Sequence, residues 1–497
     1  MKYISTRDTR KDPERISSAE AIKRGLAPDG GLYLPESIPV TDKAFIDSLA
    51  GLSYSEAAVK ILSLYLDDYT EAELTEDCTA AYGTASFGND PAPVVKATDG
   101  VYSLELWHGP TCAFKDMALQ LMPRLLSRAL KKTGEKRTAL VLVATSGDTG
   151  KAALEGYKNV PGVAIKVFYP VDGVSRIQKL QMMTQEGENV DVCAIKGNFD
   201  DAQTGVKRVF ADKQLAAELA KKDVRLSSAN SINWGRLVPQ IVYYFAAYGR
   251  LVRNHEIEMG QPVDFCVPTG NFGDILAGYY AKQMGLPVGK LVCASNRNNV
   301  LTEFFETGTY NARREFFRTT SPSMDILVSS NLERLLYHIT GSDAQVAAWM
   351  ADLAEKGSYT VNSTTLETIR ADFAAGCASD EEVAQEIKAI YQKVGYLCDP
   401  HTAVAFKVAR EYQAASQSHN PMVVLSTASP YKFPRDVLTA LGAEAPQSDF
   451  AAMDGLKALT NVPVPNSLAA LRGQQERFNQ VIEPSQIGDV AQKVCEA

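Results

Sequence analysis

The chain has 497 residues, of which 45% are hydrophobic and 22% charged, and its formal net charge is −8. This length exceeds what one compact core usually holds, so we expect two or three globular domains and no extended disorder. The acidic balance, without a run of Lys and Arg, argues against a nucleic-acid or membrane partner, and no stretch reaches the roughly 20 apolar residues of a membrane-spanning helix.

The N-terminal residues MKYISTRDTRKDPER lack the apolar core of a signal peptide. The eight cysteines are scattered without a Cys-x-x-Cys pair, and the five histidines show no metal-ligand spacing. We therefore expect a cytoplasmic protein with reduced cysteines and no metal site, present as a monomer or a small homo-oligomer.

Residues 1–90 are predicted to form a helix-rich N-terminal domain. Apolar periodicity predicts helices near 18–25, 42–50 and 54–66, and the Gly/Pro-rich segment GLAPDGGLYLP (25–35) forms a connector.

Residues 91–435 alternate short apolar runs with helical patterns, and we expect them to form an α/β region of two subdomains. The candidate strands are 139–145, 163–170, 190–197, 263–270, 290–296 and 422–429. Most are nearly continuously apolar, which predicts parallel strands covered by helices on both faces, and helical patterns such as 200–221 and 235–252 lie between them. Residues 331–395 are predicted to be mainly helical, and 436–497 to be a C-terminal segment of helix and loop.

Three predicted strands end in small polar loops. These loops are TSGDTG (145–150), PTGNFGD (268–274) and STASP (426–430). In a parallel sheet the three loops would lie along the same edge, where ligands of α/β proteins bind. Their convergence is the first indication of a functional site.

Lys115 lies in HGPTCAFKDMALQLM (108–122), where apolar spacing predicts a helix that begins near this lysine and is interrupted at Pro123. A helix N-terminus and apolar neighbours such as Phe114 both disfavour an ammonium. A deprotonated lysine can attack an aldehyde to form a Schiff base. A single lysine in such a position is more often an ordinary solvated side chain, so its importance depends on the neighbouring loops.

The loop PTGNFGD combines glycines with a predicted helix start. Gly270 and Gly273 would let the backbone turn tightly, and the amides of Asn271, Phe272 and Asp274 could point at an anion. The loop fits neither the dinucleotide-binding nor the nucleoside-triphosphate glycine pattern. An ordinary strand-to-helix turn is the alternative.

The other two loops supply hydroxyl groups at strand ends. Ser146 and Thr149, with the nearby amides, suit a carboxylate or a phosphate, although an N-capping turn is an equal alternative. Thr427 and Ser429 offer neutral hydroxyls that would leave a pyridine nitrogen unprotonated, and the sequence does not distinguish which of them points inward.

The segment SSANSINWGRLVPQ (227–240) places Asn230, Ser231, Asn233 and Arg236 just before a helix. One guanidinium with several amides and hydroxyls is what a phosphate dianion requires, and a capping turn with a surface arginine is the alternative. Five anion- or aldehyde-suited elements in one chain favour the functional interpretation of each.

Taken in order, these motifs resemble those of the threonine synthases, which belong to the pyridoxal-phosphate (PLP) enzymes of the tryptophan-synthase-β fold type. The segment GLAPDGGLYLP resembles the N-terminal signature of the long bacterial and fungal members, and HGPTCAFKD, TSGDTG, NSINWGR, PTGNFGD and STASPYKF follow in family order over roughly residues 3–435. The resemblance implies conversion of O-phosphohomoserine and water to threonine and phosphate, the last step of threonine biosynthesis.

The resemblance also implies a role for each motif residue. Lys115 would form the Schiff base with PLP, and Thr427 would face the ring nitrogen. The implied phosphate cradle of the cofactor is Gly270, Asn271, Phe272, Gly273 and Asp274. Asp148 would contact the cofactor hydroxyl, where many relatives of this fold carry Asn. The implied substrate-binding residues are Ser146, Thr149, Asn230, Ser231 and Arg236.

Two alternatives remain open at the level of sequence. A related PLP phospho-lyase could release a 2-keto acid, which product analysis would distinguish. A non-catalytic PLP- or phosphate-binding homologue is the other, and the reactive-lysine motif at Lys115 argues against it.

Overall fold

The computed structural model describes residues 1–145, 147–171 and 174–493. In chain order the strands are β1 (Tyr3–Ser5), β2 (Tyr33–Pro35), β3 (Val94–Thr98), β4 (Val101–Glu105), β5 (Thr138–Ala144), β6 (Val163–Pro170), β7 (Val190–Ile195), β8 (Val224–Ser227), β9 (Val263–Pro268), β10 (Val288–Ser295), β11 (Thr309–Asn311), β12 (Ser358–Thr360), β13 (Phe373–Cys377), β14 (Met422–Ser426) and β15 (Val481–Ile482).

The first half of the chain contains the helices α1 (Ser18–Arg24), α2 (Lys43–Leu49), α3 (Tyr54–Ser63), α4 (Glu71–Tyr82), α5 (Thr84–Phe87), α6 (Asp116–Leu119), α7 (Met122–Lys132), α8 (Asp148–Tyr157), α9 (Arg176–Met183), α10 (Phe199–Ala211), α11 (Lys213–Lys221) and α12 (Trp234–Arg253). The second half contains α13 (Gly273–Gln283), α14 (Val300–Thr307), α15 (Leu332–Thr340), α16 (Asp343–Lys356), α17 (Ser363–Asp372), α18 (Asp380–Val394), α19 (Pro400–Ser416), α20 (Pro434–Ala440), α21 (Asp449–Thr460), α22 (Asn466–Ala469) and α23 (Ile487–Lys493), and short 3-10 turns lie at Pro322–Met324, Pro430–Lys432 and Pro484–Gln486. None of the helices in the described parts of the chain is long and apolar enough to cross a membrane.

Most of the strands form two sheets. One sheet has the order β15-β7-β6-β5-β8 and is parallel throughout, and the other has the order β13-β10-β9-β14-β4-β3 with only β3 antiparallel. The inner strands are almost completely buried, as parallel strands covered on both faces must be. The α/β prediction with mostly parallel sheets is confirmed.

The expectation that the three polar loops share one sheet edge is wrong. TSGDTG follows β5 in the five-stranded sheet, whereas PTGNFGD and STASP follow β9 and β14 in the six-stranded sheet. An apolar pattern identifies a buried strand but carries no information about which strands become neighbours, and that choice is made by packing of the whole chain.

The C-terminal segment connects the two sheets. Helices α21 and α22 pack into the same apolar cluster as the helix α19 behind the six-stranded sheet, while β15 pairs with β7 at the edge of the other sheet. The segment therefore crosses from one sheet to the other.

Contact between helices α6 and α8 brings the segment of Lys115 close to the loop that follows β5. Lys115 immediately precedes α6, and Asp148 is the first residue of α8. A Cβ atom added to Gly156 in α8 would lie 1.8 Å from the carbonyl oxygen of Leu119 at the end of α6. The absence of a side chain at Gly156 thus allows the two helices to touch.

We predict that Gly156→Ala destabilises the fold. Alanine normally stabilises a helix interior by about 1 kcal/mol relative to glycine, but the clash with backbone is expected to reverse the sign and cost about 1–3 kcal/mol. Gly455→Ala in α21 is the matched control, because a Cβ there would meet only the Leu438 side chain at 3.5 Å. Thermal unfolding at a fixed scan rate should give a lower midpoint for Gly156→Ala alone. Equal midpoints for the two variants would contradict the proposed helix contact.

Candidate functional site

Lys115 lies against the loop that follows β14. The Phe114 N–H donates to the Thr427 carbonyl over 2.8 Å, and Ala113 forms an isolated bridge with Ala428. Helix α6 starts directly after Lys115, and a second helix, α7, begins at Met122 with Pro123 in its first turn. The predicted interruption of the helix near Pro123 is therefore present. The Lys115 amine makes no hydrogen bond with the described residues and lies 4.8 Å from the centre of the Phe114 ring.

Burial lowers the pKa of Lys115 to about 8. The positive charges of Arg236 and Lys432 act in the same direction, whereas the carboxylates of Asp148 and Asp274 oppose the shift. A lysine with this pKa is partly deprotonated near neutral pH and can act as a nucleophile or a general base.

Asp148 connects the loop after β5 with the other sheet. Its Oδ1 accepts from the Lys432 ammonium at 2.5 Å and from the Gln178 amide at 2.9 Å, and its Oδ2 accepts from the Ser323 hydroxyl at 3.3 Å. Burial opposes ionisation of Asp148, but the two ammonium groups of Lys432 and Lys115 hold its pKa well below the usual range. The carboxylate is therefore charged at neutral pH.

The glycine loop after β9 presents a row of unused amides. The backbone N–H groups of residues 270–274 donate no hydrogen bond to the described residues, and they lead into the N-terminus of α13. Five unpaired amides at a helix start form a binding site for an anion such as a phosphate.

The sharp turn of this loop is not made by its glycines. Phe272 adopts the left-handed conformation with φ 64°, while Gly270 and Gly273 have ordinary backbone angles. Gly270 is required for another reason, because a Cβ there would lie 2.8 Å from the Ser323 carbonyl oxygen. The expectation that both glycines make the turn is wrong, since the buried ring of Phe272 fixes that conformation through packing.

The Asp274 side chain points into a tyrosine pair. Its Oδ1 accepts from Tyr243 at 2.5 Å and from Tyr244 at 3.2 Å. Burial raises the pKa of Asp274 to about 7, although both tyrosines and Lys115 favour the charged form. Asp274 thus offers the anion its backbone amide, while its carboxyl group joins α13 to α12.

The structure distinguishes the two hydroxyls that follow β14. The Ser429 hydroxyl accepts from the Tyr431 N–H at 3.3 Å and caps the 3-10 turn Pro430–Lys432. Thr427 is buried, its hydroxyl makes no hydrogen bond with the described residues, and its backbone carbonyl accepts from the residue before Lys115. Thr427 is therefore the hydroxyl left free for a ligand.

Arg236 is a buried guanidinium without a carboxylate partner among the described residues. Its Nη1 donates to the Ala229 carbonyl at 2.6 Å, and its Nε is buried without a partner. Burial lowers the pKa of Arg236 to about 10, with Tyr157 opposing the shift. The side chains of Asn230 and Ser231 also make no hydrogen bond with the described residues. The segment from Asn230 to Arg236 can therefore bind a second anion.

Two further residues near the site were not identified from the sequence. Asn331 donates to the carbonyl oxygens of Asn271 at 3.1 Å and Ser231 at 3.2 Å, and Arg334 donates to Asn331 Oδ1 at 2.5 Å. Both lie in SNLER, where the sequence predicts only part of a helical stretch. Lys432 was likewise unassigned, although it belongs to the quoted motif STASPYKF. The signal in each case was a polar residue at an element boundary.

Several of the predicted site residues lie around Lys115. Charges on Asp148, Arg236 and Asp274 all act on Lys115, and Thr427 lies beside it. Thr149 is partly buried in the first turn of α8. Ser146 lies outside the described residues.

The donor set fits PLP. Within the described part of the chain, the Lys115 amine, the amides of residues 270–274 and the Thr427 hydroxyl have no hydrogen-bond partner. The amine, with its lowered pKa, matches the aldehyde, the amides match the phosphate, and the hydroxyl matches an unprotonated ring nitrogen. The unsatisfied guanidinium of Arg236 provides a second anion site separate from the amides.

Family models match most of the chain in three successive parts. They are the threonine synthase N terminus over residues 2–82, the pyridoxal-phosphate dependent enzyme model over 86–371 and the threonine synthase C-terminal model over 402–493. The matches confirm the resemblance found in the motifs and the PLP dependence it implied.

Individual proteins agree with the family models. The chain is 41% identical to threonine synthase of Pseudomonas aeruginosa, covering 90% of this chain and 92% of that protein. It is also 41% identical to threonine synthase-like 1 of Pongo abelii over 88% of this chain, but it spans only 60% of that protein's length. A PLP-bound threonine synthase structure from Brucella melitensis superposes with a TM-score of 0.88 at 40% identity, covering 100% of this chain and 99% of that chain.

We predict that Gly273→Val weakens PLP binding without unfolding the protein. A Cβ at Gly273 would lie no closer than 3.4 Å to a protein atom, so the added side chain should mainly obstruct the anion. Loss of one charge-assisted hydrogen bond, about 1.5–3 kcal/mol, would lower PLP affinity by roughly tenfold or more. The measurements are equilibrium binding of PLP and thermal unfolding of the cofactor-free protein.

Gly270→Ala provides the comparison, because its Cβ would clash with backbone and should lower both PLP affinity and stability. Wild-type PLP affinity in Gly273→Val would mean that the cofactor phosphate lies elsewhere.

Proposed function

Because the chain belongs to the threonine synthase family of pyridoxal-phosphate-dependent enzymes, we propose that it converts O-phospho-L-homoserine and water to L-threonine and phosphate. The observation that carries the proposal is the Lys115 amine, which has no hydrogen-bond partner among the described residues, together with two separate anion sites, the amides of residues 270–274 and the Arg236 guanidinium. One anion site suits the cofactor phosphate and the other the substrate phosphate.

Lys115 carries the protons in this proposal. Lys115 would hold PLP through its side-chain amine, and with substrate bound the same amine would remove the Cα proton and a Cβ proton in turn. Bound PLP supplies an electron sink that stabilises the negative charge left on carbon. The lowered pKa of Lys115, about 8, allows it both to accept and to return protons near neutral pH.

The cofactor contacts are assigned by chemistry. The amides of Gly270, Asn271, Phe272, Gly273 and Asp274 would hold the cofactor phosphate. Thr427 would donate to the ring nitrogen and leave it unprotonated. Asp148 would accept from the cofactor hydroxyl, since its carboxylate is charged and lies beside Lys115.

The substrate contacts come from two loops. Thr149, whose N–H at the start of α8 donates to none of the described residues, would bind the substrate carboxylate together with Ser146. Arg236, Asn230 and Ser231 would bind the substrate phosphate and stabilise it as it leaves from Cγ. Water then adds at Cβ, and protons return to Cγ and Cα.

The domain boundaries, the oligomeric state and the cellular location are also part of the proposal. We assign residues 1–90 to an N-terminal domain, 91–435 to the catalytic α/β region and 436–497 to a C-terminal segment. We place the protein in the cytoplasm as a monomer or a small homo-oligomer. The net charge of −8 and the absence of a basic run from the sequence support the absence of a nucleic-acid partner.

Lys115 is predicted to be the residue that holds the cofactor. Borohydride reduction of the PLP-loaded protein, followed by peptide mapping, should place the pyridoxyl label on Lys115. Lys151 is the internal control, since it is also buried but its ammonium is bonded to Glu155 and Gln185. A label on another lysine would contradict the assignment.

Arg236→Ala is predicted to retain PLP and to lose turnover of O-phosphohomoserine. Removing the guanidinium forfeits charge-assisted hydrogen bonds worth about 1.5–3 kcal/mol, which corresponds to a fall in kcat/KM of about 10- to 100-fold or more. Arg236→Lys should restore activity only in part, because a point charge cannot replace the planar fork.

Arg225→Ala is the matched control for this variant. It removes a partly buried arginine from the adjacent strand β8, where the guanidinium pairs with Glu135 instead of facing the site. Loss of PLP from Arg236→Ala, or full activity in that variant, would show that Arg236 does not bind the substrate phosphate.

A further inference from the structure

Lys432 is a buried cation next to the site that the proposed mechanism does not use. Its side chain is 0% exposed, and its ammonium contacts Asp148 Oδ1 at 2.5 Å and the Thr111 carbonyl oxygen at 3.0 Å. It lies on the 3-10 turn after β14, directly beyond Thr427. Burying a lysine is costly and occurs almost only where its ammonium is paired, so the contact with Asp148 is what allows this charge to be buried here.

Lys432 and Lys115 compete for the same carboxylate. Both ammonium groups lower the pKa of Asp148, but only Lys432 forms a hydrogen bond with it. Lys115 makes no hydrogen bond with the described residues. Without Lys432, the Lys115 ammonium would become the nearest available cation for a buried, charged Asp148.

The other charged groups around Lys115 do not attract its ammonium as strongly as Asp148 does. Arg236 from α12 is a like charge. Asp274 from α13 accepts from two tyrosines through Oδ1, and although its Oδ2 has no partner among the described residues, it attracts Lys115 less than Asp148 does. The charge on Asp148 is therefore the main attraction acting on a protonated Lys115, and Lys432 is the residue that neutralises it.

We propose that Lys432 is a positioning residue that binds the Asp148 carboxylate and so keeps the Lys115 amine free to bond the cofactor aldehyde. This role rests on the proposed function of Lys115 as the cofactor-bearing lysine. It gives the turn after β14 two tasks, with the Thr427 hydroxyl directed at the ligand and the Lys432 ammonium directed at the loop after β5. The ion pair between Lys432 and Asp148, which joins loops of the two sheets, would then also control the reactivity of Lys115.

The test is the pH dependence of Lys115 reactivity in the full-length chain stripped of PLP. Trace acetylation with acetic anhydride, read by mass spectrometry of the Lys115 peptide, gives the pH midpoint at which the amine becomes reactive without requiring turnover. The wild-type midpoint is expected near 8. In Lys432→Met the freed carboxylate should raise it by about one unit or more, which slows acetylation at neutral pH roughly tenfold.

Two variants separate a charge effect from a general disturbance. Lys432→Arg keeps a cation beside Asp148 and should return the midpoint toward the wild-type value. The double variant Asp148→Asn/Lys432→Met removes both charges, so it should show no rise. Where Lys432→Met fails to fold, Lys432→Gln removes the charge but keeps a donor beside Asp148, and it should show the same rise.

Lys166→Met is the matched control for losing a buried lysine. Lys166 is 2% exposed and also binds one carboxylate, Asp191, and one backbone carbonyl, that of Val490, but it lies on β6 away from the site. It should leave the Lys115 midpoint unchanged.

A folded Lys432→Met with a wild-type midpoint would overturn the proposal. A midpoint raised in the double variant as well would also overturn it, because Asp148 would then not be the cause. Neither result depends on O-phosphohomoserine, so a wrong substrate assignment would be recognised separately from a wrong role for Lys432.

Discussion

The carboxylate of Asp148 is where the loops of the two sheets meet, and the site depends on its charge. It begins α8 after the five-stranded sheet, and it is bonded by Lys432 and Ser323 from the other side. A buried carboxylate is tolerated only when it is paired and hydrogen-bonded, so the contact fixes the relative position of the loops around Lys115. Gly156 supports the same arrangement, because its missing side chain lets α8, which begins at Asp148, touch the end of α6, which begins after Lys115.

A second connection ties the two anion sites to each other. Arg334 is completely buried and donates to the carbonyl oxygens of Tyr33 at 2.9 Å and Ile232 at 2.5 Å, and it also holds Asn331. Asn331 in turn bonds the backbone of the glycine loop. The N-terminal part of the chain is thereby joined to the loops assigned to the cofactor phosphate and the substrate phosphate. This explains why a segment distant in sequence can matter for the geometry of the site.

The sequence predicted the local features of this protein well and the long-range ones poorly. The position of Lys115 at a helix start, the break at Pro123 and the buried strands follow from periodicity and from proline chemistry, which act over a few residues. The division of the strands into two sheets, the pairing of Lys432 with Asp148 and the turning of Asp274 toward two tyrosines depend on contacts between distant segments. No local pattern contains that information, so it became visible only in the folded chain.

If the site carries phosphate elimination through to hydration, the products of one reaction will show it. The purified, PLP-loaded chain should be given O-phosphohomoserine, and threonine, phosphate and 2-keto acid should be measured in the same samples over time. We expect threonine and phosphate in equal amounts, with no 2-keto acid accumulating and no turnover in Lys115→Ala. Phosphate released together with a 2-keto acid, or no phosphate at all, would contradict this expectation.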